Sequence, residues 1–503
     1  MLALSFWLAC VIVPSLNDYP LLSDDEGEIL LVAHTLATDG RFGTDLFQGV
    51  WNTDHKMFLA PPVQSILIAG MFRVAGESIG VARAVSFLSA LVVLWSVGYL
   101  ARRWYGEGAM FAATFLLVSW SFINIARTAR YDMTAVAWMW LTLVALDLYL
   151  RRRSFGFAFL TGLCAALATL TQFFGGFILV VVASALALEL RARVWRERAN
   201  LLLIIGFAVV FVPYAFYVFS DYQNFVIQTF VVKGARARFG DWTFYAQNLA
   251  NEMSRYGSVA VRSVFRAPTL TGQITTWLLI LSIAAACANL MRRLWRGQES
   301  SHWILPLSVV VIGASLALFD STKVPLYVIA LLPFVCIAVG GLWRDIFRAH
   351  KSRRFQTLIG ACSVLVVASF MFRYYDAFVV DRQIAARVSP YQEMIEQIRI
   401  HLPRDARILT SARLAWGLND FAVSATAMPA LRARAASLDE WLAQTRTTHI
   451  VLDERMLIEL NQDAEWNAQM AVIRTRCTAP IAEWRDPSYQ TIQIYRVTLP
   501  CAR

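Results

Sequence analysis

The chain has 503 residues, of which 58% are hydrophobic and 16% are charged, whereas about a quarter of the residues of an ordinary globular domain are charged. The mean hydropathy of +0.51 excludes a soluble globular protein and indicates an integral membrane protein. A net charge of +11 would otherwise suggest a nucleic-acid partner, but the basic residues lie mostly between apolar runs, so we expect membrane lipids and no nucleic acid.

Eleven apolar runs are long enough, or nearly so, for membrane-spanning helices, which need roughly 20 mostly apolar residues. The stretch 154–190 counts as two of them, because it is too long for one crossing at about 1.5 Å per residue and Gln172 with Gly175-Gly176 marks a hairpin. The sequence therefore predicts a mainly α-helical polytopic membrane protein. The approximate runs are 2–16, 80–101, 108–124, 133–150, 156–172, 175–190, 200–219, 273–291, 303–319, 325–343 and 356–374.

Arginines and lysines in the short connections set the predicted orientation, since such residues concentrate on the cytoplasmic side. The basic groups within 102–103, 151–153, 191–198, 292–296 and 344–354 all fall on one side. With that side cytoplasmic, the N-terminus lies inside. The loops 17–60 and 220–272 and the tail 376–503 then lie outside, which we take to be the periplasm of a bacterial inner membrane.

Two segments near the N-terminus need separate interpretation. The first apolar run is short, but it lacks the basic region and the A-x-A-like exit of a cleaved signal peptide, so we expect a retained helix, whose true start would lie upstream of Met1. The apolar run 61–74 would invert every later segment if it crossed the membrane. We expect it to be interfacial or re-entrant.

The tail differs in character from the rest of the chain. Polar helical stretches at 390–401 and 438–445 alternate with strand-like runs at 407–410, 449–453 and 491–498, which is typical of a small α/β domain. Cys477 and Cys501 lie in this tail and are able to pair in an oxidising compartment. The two predicted domains are thus 1–375, with the transmembrane helices, and 376–503.

An acidic cluster stands at the start of an amphipathic helix in the first external loop, where Ser23 is a candidate cap for Asp24, Asp25 and Glu26. One interpretation is that the carboxylates complement the helix dipole, an effect of about 0.3–1 kcal/mol. The other is that one of them is a general base that removes a proton from an acceptor hydroxyl. Local sequence leaves both interpretations open.

Several short motifs in a fixed order resemble the GT-C superfamily of polyprenyl-phosphate-sugar glycosyltransferases. This superfamily includes protein O-mannosyltransferases, lipid A aminoarabinose transferases and rhizobial galacturonosyltransferases. The resemblance covers roughly residues 15–345. The motifs are Ser23-Asp-Asp-Glu-Gly, Ala37-Thr-Asp-Gly40-Arg-Phe, Ala60-Pro61-Pro62-Val63, Phe72-Arg-Val-Ala-Gly76, Ala82-Arg83, Ala129-Arg130-Tyr131-Asp132-Met133 and Ser321-Thr-Lys323-Val-Pro-Leu-Tyr327.

The resemblance implies a catalytic acid in the first loop, and the match falls on Asp25 with Glu26 beside it and Asp24 as the fallback. The aminoarabinose branch has a Glu-Lys pair directly before its Pro-Pro, where this chain has Leu59-Ala60. The second acid and any metal ligand it supplies are therefore not carried over, and we assign no metal site. His55 and Lys56 lie just upstream and are kept as substrate-binding candidates, against the alternative of a solvated pair.

A polyprenyl-phosphate donor needs cations near the outer membrane surface, because its phosphate diester is anionic. For some candidates a structural interpretation competes: Arg130 with Asp132 as an interface ion pair, and the second-loop cations as contacts to lipid headgroups. Asp132 itself either orients an arginine or lies near the sugar. The candidates are Arg127, Arg130, Lys233, Arg236, Arg238 and Lys323, with Asp132 and Tyr327 beside them.

The sequence thus predicts an inverting transfer of a sugar from a polyprenyl-phosphate-linked donor to a glycolipid, lipopolysaccharide or protein acceptor. The rival hypothesis is a flippase or transporter of lipid-linked saccharides. Transporters tend to carry ionisable residues at mid-membrane depth, whereas here they gather at the outer surface. A membrane-anchored scaffold is a third possibility, although eleven helices exceed what an anchor needs.

Overall fold

The computed structural model describes most of the two predicted domains. Two predicted spans, 273–291 and 356–374, and the second-loop cations Lys233, Arg236 and Arg238 lie outside the continuous stretches that it describes. The described residues are 1–47, 50–117, 120–231, 241–252, 254–255, 304–320, 323–349, 386–425, 437–461 and 464–498, with 288, 295, 357 and 383 as isolated positions.

The N-terminal two thirds of the chain is helical wherever it is described as regular structure. Short 3₁₀ segments such as Phe173–Gly176 and Pro325–Ala330 connect several of these helices. The helices are α1 Leu2–Ile12, α2 Asp24–Thr38, α3 Val63–Ala75, α4 Ile79–Tyr105, α5 Glu107–Leu117, α6 Trp120–Ala126, α7 Tyr131–Arg152, α8 Phe155–Thr169, α9 Phe177–Leu190, α10 Ala199–Phe219, α11 Tyr222–Val226, α12 Trp242–Ala250, α13 Ile304–Phe319 and α14 Leu332–Ala349.

Within the described residues, four helical segments are long and apolar enough to cross a membrane: Ile79–Tyr105, Tyr131–Arg152, Phe173–Leu190 and Ala199–Phe219. Shorter apolar helices lie at Leu2–Ser15, Val63–Ala75, Phe155–Thr169 and Ile304–Phe319. The predicted total of eleven spans stays a prediction. The predicted break inside 154–190 is confirmed, because α8 ends at Thr169 and α9 begins at Phe177.

Two hydrophobic cores organise the part of the chain that the structure describes. The first joins α1, α4, α7, α9, α13 and α14, and the rings of Trp140 and Phe334 meet in it with centroids 4.6 Å apart. The second joins α2, α3 and the start of α4 to the C-terminal domain. Ile68 and Phe72 of α3 pack in the second core. The interfacial or re-entrant position of the run 61–74 stays a prediction.

The C-terminal domain is α/β as predicted, over its described residues 386–425, 437–461 and 464–498. Its five-stranded sheet has the order β2-β1-β3-β5-β4, with β1 parallel to β2 and β3, and β5 antiparallel to β3 and β4. The elements are α15 Tyr391–Ile400, β1 Arg407–Thr410, α16 Ala412–Gly417, β2 Ala422–Ala425, α17 Leu438–Gln444, β3 His449–Leu452, α18 Glu454–Asn461, α19 Ala464–Arg476, β4 Thr478–Asp486 and β5 Gln490–Val497.

The sequence predicted three of these strands and missed two. β2, with the sequence Ala-Val-Ser-Ala, has a single β-branched residue. β4 contains Pro480, which argues against a strand when the sequence is read alone. β4 tolerates this proline because it is an edge strand with a register shift between Pro480 and Ala482. Cys477 is disulfide-bonded. Its predicted partner, Cys501, lies outside the described residues, so that pairing stays a prediction.

Candidate active site

The acidic cluster forms the first turn of α2, and the predicted cap is present. Ser23 Oγ accepts a hydrogen bond from the backbone N–H of Glu26, and the backbone N–H of Ser23 donates to Glu26 Oε2 at 3.2 Å. This reciprocal capping box fixes the start of the helix. Because successive residues of an α-helix are about 100° apart around its axis, the three carboxylates leave the turn in different directions.

Glu26 points into the protein. Arg83 of α4 donates to it through two nitrogens, at 2.9 and 3.2 Å, and the backbone N–H of Ala129 donates at 2.7 Å. Both side chains are buried, and the third arm of Arg83 donates to the carbonyl of Leu16. The sequence placed Glu26 among the catalytic acids, but a buried carboxylate with both oxygens hydrogen-bonded is better suited to positioning α2 than to contacting a substrate.

Asp24 points towards the C-terminal domain. Its Oδ1 accepts a hydrogen bond of 3.1 Å from the backbone N–H of Arg413, in the first turn of α16. Asp24 was the fallback base, and this contact directs its carboxylate to the domain interface.

Asp25 is the acid of the cluster that remains accessible, since its side chain is 57% exposed. It lines a small cavity, the first-loop cleft, which has a volume of about 10 Å³ and is partly open to solvent. Glu28 lines the same cleft, one helical turn further along α2, and was not predicted, although its spacing of three residues from Asp25 was a usable signal. The lining residues are Asp25, Glu28, Ile29, Val32, Phe42, Met57, Ala60, Ser65 and Tyr131.

Arg130 joins Asp25 to Asp132. Its Nη1 donates to Asp25 Oδ2 and its Nε donates to Asp132 Oδ2 at 2.9 Å. Burial by itself lowers the pKa of the guanidinium, but the charges of Asp132 and Asp25 outweigh it and hold that pKa above its ordinary value. Asp132 is fully buried. The predicted pair of Arg130 and Asp132 is therefore present, and it extends to the candidate base.

Arg127 is buried three residues before Arg130. Its guanidinium lies over the ring of Tyr19, 4.9 Å from the centroid. This contact is a cation–π interaction that joins the connection between α6 and α7 to the segment before α2, and it favours a structural role.

Lys56 and His55 differ in their surroundings. Lys56 Nζ donates to Ser220 Oγ at 2.7 Å and lies over the ring of Tyr217, whereas the exposed ring of His55 lies 3.5 Å from Asp54. The described contacts of the Lys56 ammonium are thus with neutral groups. Lys56 is next in sequence to Met57, which lines the first-loop cleft.

Lys323 belongs to a buried cluster of four charges. Its Nζ lies 2.7 Å from Glu252 Oε2, and Arg255 donates to Glu252 and, at 2.9 Å, to Asp320. Burial raises the pKa of Glu252, but the hydrogen bonds from Arg255 and Lys323 outweigh it and leave that pKa below its ordinary value. The predicted phosphate ligand Lys323 is therefore neutralised here. Glu252 and Arg255 were not predicted, although an acidic and a basic residue three positions apart were a usable signal.

Tyr327 is buried among aromatic rings. Its ring lies 5.4 Å from that of Phe173 and 5.2 Å from that of Phe174. This packing connects the 3₁₀ segment Pro325–Ala330 to the hairpin between α8 and α9. Across the described part of the chain, no group of three or more His, Cys, Asp or Glu residues is placed to hold a metal ion.

A family model described as dolichyl-phosphate-mannose-protein mannosyltransferase matches residues 60–217. These residues run from the Ala60-Pro61-Pro62 motif to the end of α10 and include Arg83 and Arg130. No curated protein matches the chain's sequence.

Solved structures match over almost the whole chain. ArnT from Cupriavidus metallidurans in the apo state matches with a TM-score of 0.62 at 16% identity, over 98% of this chain and 97% of that one. The same protein bound to undecaprenyl phosphate gives 0.61 at 14% identity, over 99% and 98%. The oligosaccharyltransferase AglB from Archaeoglobus fulgidus, in complex with an inhibitory peptide and a dolichol-phosphate, gives 0.57 at 12% identity, over 98% and 74%.

These similarities agree with the order of the sequence motifs and with the helical architecture. The chain therefore has the fold of the GT-C glycosyltransferase superfamily, and the resemblance that its motifs indicated is confirmed.

Proposed function

We propose that the protein transfers a sugar from a polyprenyl-phosphate-linked donor to an acceptor hydroxyl at the periplasmic face of a bacterial inner membrane, with inversion at the anomeric carbon. The observation that carries this proposal is the position of Asp25, an exposed carboxylate that lines a cleft beside a cationic side chain. The fold supports it, because structurally similar proteins were solved with undecaprenyl phosphate and with dolichol-phosphate.

In the proposed reaction Asp25 is the general base. It takes the proton from the acceptor hydroxyl, whose oxygen forms a bond to the anomeric carbon on the face opposite the phosphate. The bond between the anomeric carbon and the phosphate oxygen breaks, and its electron pair leaves with the polyprenyl phosphate monoester. General-base assistance of this kind contributes about 10²–10⁴-fold to a rate.

Arg130 is the residue that holds the base. It contacts Asp25 through one arm and the buried Asp132 through its Nε, so the direction of the Asp25 carboxylate is fixed before substrate binds. An oriented base lowers the entropic cost of reaching the reactive geometry.

We place the donor phosphate near Lys56. Among the described candidate cations, Arg127 is buried, Arg130 is paired with carboxylates, and Lys323 is neutralised by Glu252. The contacts of Lys56 are with a hydroxyl, a carbonyl and an aromatic ring. A lysine in such surroundings retains its full charge for a phosphate whose negative charge grows as it leaves.

The acceptor class is proposed as a glycolipid, lipopolysaccharide or protein exposed to the periplasm. Mass spectrometry of envelope glycolipids and glycoproteins from a deletion strain identifies the missing sugar and its acceptor together. The purified protein in liposomes with the corresponding polyprenyl-phosphate sugar should then transfer that sugar. If the deletion strain instead accumulates a lipid-linked saccharide on the cytoplasmic side and keeps its sugar-transfer activity, the result would favour the flippase.

The test of the base compares Asp25→Asn with Asp39→Asn. Asp39 lies at the other end of α2 and its side chain is 55% exposed, which is close to the 57% of Asp25. We expect transfer by Asp25→Asn to fall by about 10²-fold or more, with unchanged thermal stability, and Asp39→Asn to remain active. Normal transfer by Asp25→Asn would exclude it as the base.

A further inference from the structure

The contact between α2 and the C-terminal domain is unusually close at Gly27. A Cβ atom at this position would lie 2.3 Å from the carbonyl oxygen of Ala412 and 2.9 Å from the Cα of Arg413. Both are backbone atoms and cannot rotate away. Glycine inside a helix costs about 1 kcal/mol relative to alanine, so its presence two residues after Asp25 is explained by the approach of the two backbones.

Asp24 caps a helix of the other domain. Ser411 is at the N-cap position of α16, but its side chain makes no capping hydrogen bond there. Its hydroxyl is directed to Asp453 instead, to which it donates at 2.7 Å. A capping side chain ordinarily accepts a hydrogen bond from the second or third backbone N–H of the helix. In α16 the second of these, the N–H of Arg413, donates to Asp24 instead. The first turn of α2 thereby supplies the cap that α16 does not supply itself.

The C-terminal side of this contact is held rigidly. Arg413 Nε lies 2.7 Å from the buried Asp453, and its guanidinium lies over the ring of Tyr489. Tyr489 also packs in the same hydrophobic core as Leu22, which lies in the segment that leads into α2. Further along α2, the Trp416 ring of α16 lies edge-on to His34. Three residues along α2, Asp24, Gly27 and His34, thus contact α16.

We propose that the C-terminal domain sets the rotation of α2, and with it the direction of the Asp25 carboxylate, through Asp24 and Gly27 as positioning residues. The inference rests on the proposed function of Asp25. Glu26 holds the opposite side of the turn through Arg83, so Asp25 stands between two fixed neighbours. A rotation of α2 that moved either neighbour would move the base relative to the cleft.

The experiment uses the full-length protein and two matched glycines. Gly27→Ala introduces a Cβ against Ala412, whereas Gly70→Ala introduces one in α3, where nothing lies within 4 Å. We expect Gly27→Ala to lower kcat by about tenfold or more, as small misplacements of catalytic groups do, with the donor KM changed less than about twofold. Hydrogen exchange of the backbone over residues 22–34 should become faster. Gly70→Ala should match wild type in both measurements.

A second pair of variants separates positioning from charge. Asp24→Asn keeps an oxygen that accepts from the N–H of Arg413, so we expect near-normal kcat, whereas Asp24→Ala loses the acceptor and should show a reduced kcat with an unchanged donor KM. If Asp24→Ala and Gly27→Ala both keep wild-type kcat and wild-type hydrogen exchange, the C-terminal domain does not position α2 and the inference is overturned.

The outcomes also separate this inference from the proposed function. Full activity of Asp25→Asn contradicts the base assignment, while the hydrogen-exchange comparison of Gly27→Ala with Gly70→Ala still decides whether α16 holds α2. An inactive Asp25→Asn together with unaffected Gly27→Ala and Asp24→Ala contradicts the positioning role alone. Equal loss of activity in Asp24→Asn and Asp24→Ala would mean that the charge of Asp24 matters and would also overturn the inference.

Discussion

Glu26 and Arg83 form a buried, bidentate ion pair between the first turn of α2 and the N-terminal turns of α4. The Nε to Oε1 and Nη2 to Oε2 distances are 2.9 and 3.2 Å, and neither side chain is accessible to solvent beyond 1%. A charge pair in such surroundings stabilises only while both partners are present, because the loss of one leaves the other buried without compensation. This relationship separates the structural acid of the cluster from its neighbour Asp25.

We therefore expect Glu26→Gln to destabilise the protein by about 3–5 kcal/mol, which thermal unfolding in detergent would detect as a lower Tm. The double variant Glu26→Gln with Arg83→Met also removes the positive charge that Glu26→Gln leaves unpaired. It should therefore recover part of the lost stability. A Glu26→Gln protein with wild-type Tm but no transfer activity would show that Glu26 takes part in the chemistry.

Lys56→Gln should raise the KM for the donor by about tenfold, the size of a lost charge-assisted hydrogen bond, with a smaller effect on kcat. Steady-state kinetics with a defined polyprenyl-phosphate sugar measures both. The control is Arg102→Gln, which removes one positive charge at the far end of α4, where the side chain is 63% exposed. An equal rise of KM in both variants would mean that only the net charge matters.

Glu252→Gln should destabilise the second external loop, because Arg255 and Lys323 would be left with the single carboxylate of Asp320. We expect a loss of about 3 kcal/mol, measured by thermal unfolding. The pKa of Glu252 is lowered in the folded protein, so the stability that it contributes is present above its unfolded pKa and is lost as the pH falls through the lower folded value. The wild-type protein should therefore lose stability on acidification more steeply than Glu252→Gln, and parallel curves would contradict this.

His449 should make the C-terminal sheet sensitive to mild acid. Burial and the charge of Arg496 lower its pKa from 6.5, while Asp405 acts weakly in the opposite direction. Below the unfolded pKa the unfolded chain binds a proton that the folded chain does not, so the free energy of unfolding falls as the pH drops below about 6.5. Thermal unfolding at pH 7.5 and 5.5 tests this. The decrease should be smaller in His449→Gln and unchanged in His401→Gln, whose ring is exposed.

Much of the fold could be predicted because its signals are local. The apolar runs predicted membrane helices such as α4 and α7, the break near Gln172 predicted the hairpin of α8 and α9, and Ser23 predicted the start of α2. Alternating and β-branched patterns predicted β1, β3 and β5, but they missed the short β2 and the proline-containing β4. The order of the motifs, which also depends on local sequence, predicted the superfamily.

The sequence by itself determined that this is a membrane protein with three acids at one helix start, and the resemblance placed Asp25 first among them. Only the tertiary structure decided what each acid meets. Glu26 pairs with a residue 57 positions away, Asp25 with one 105 positions away and Asp24 with one 389 positions away. Adjacent side chains on a helix point about 100° apart, so these partners depend on how α2 packs between the helical bundle and the C-terminal domain, which local sequence patterns do not specify.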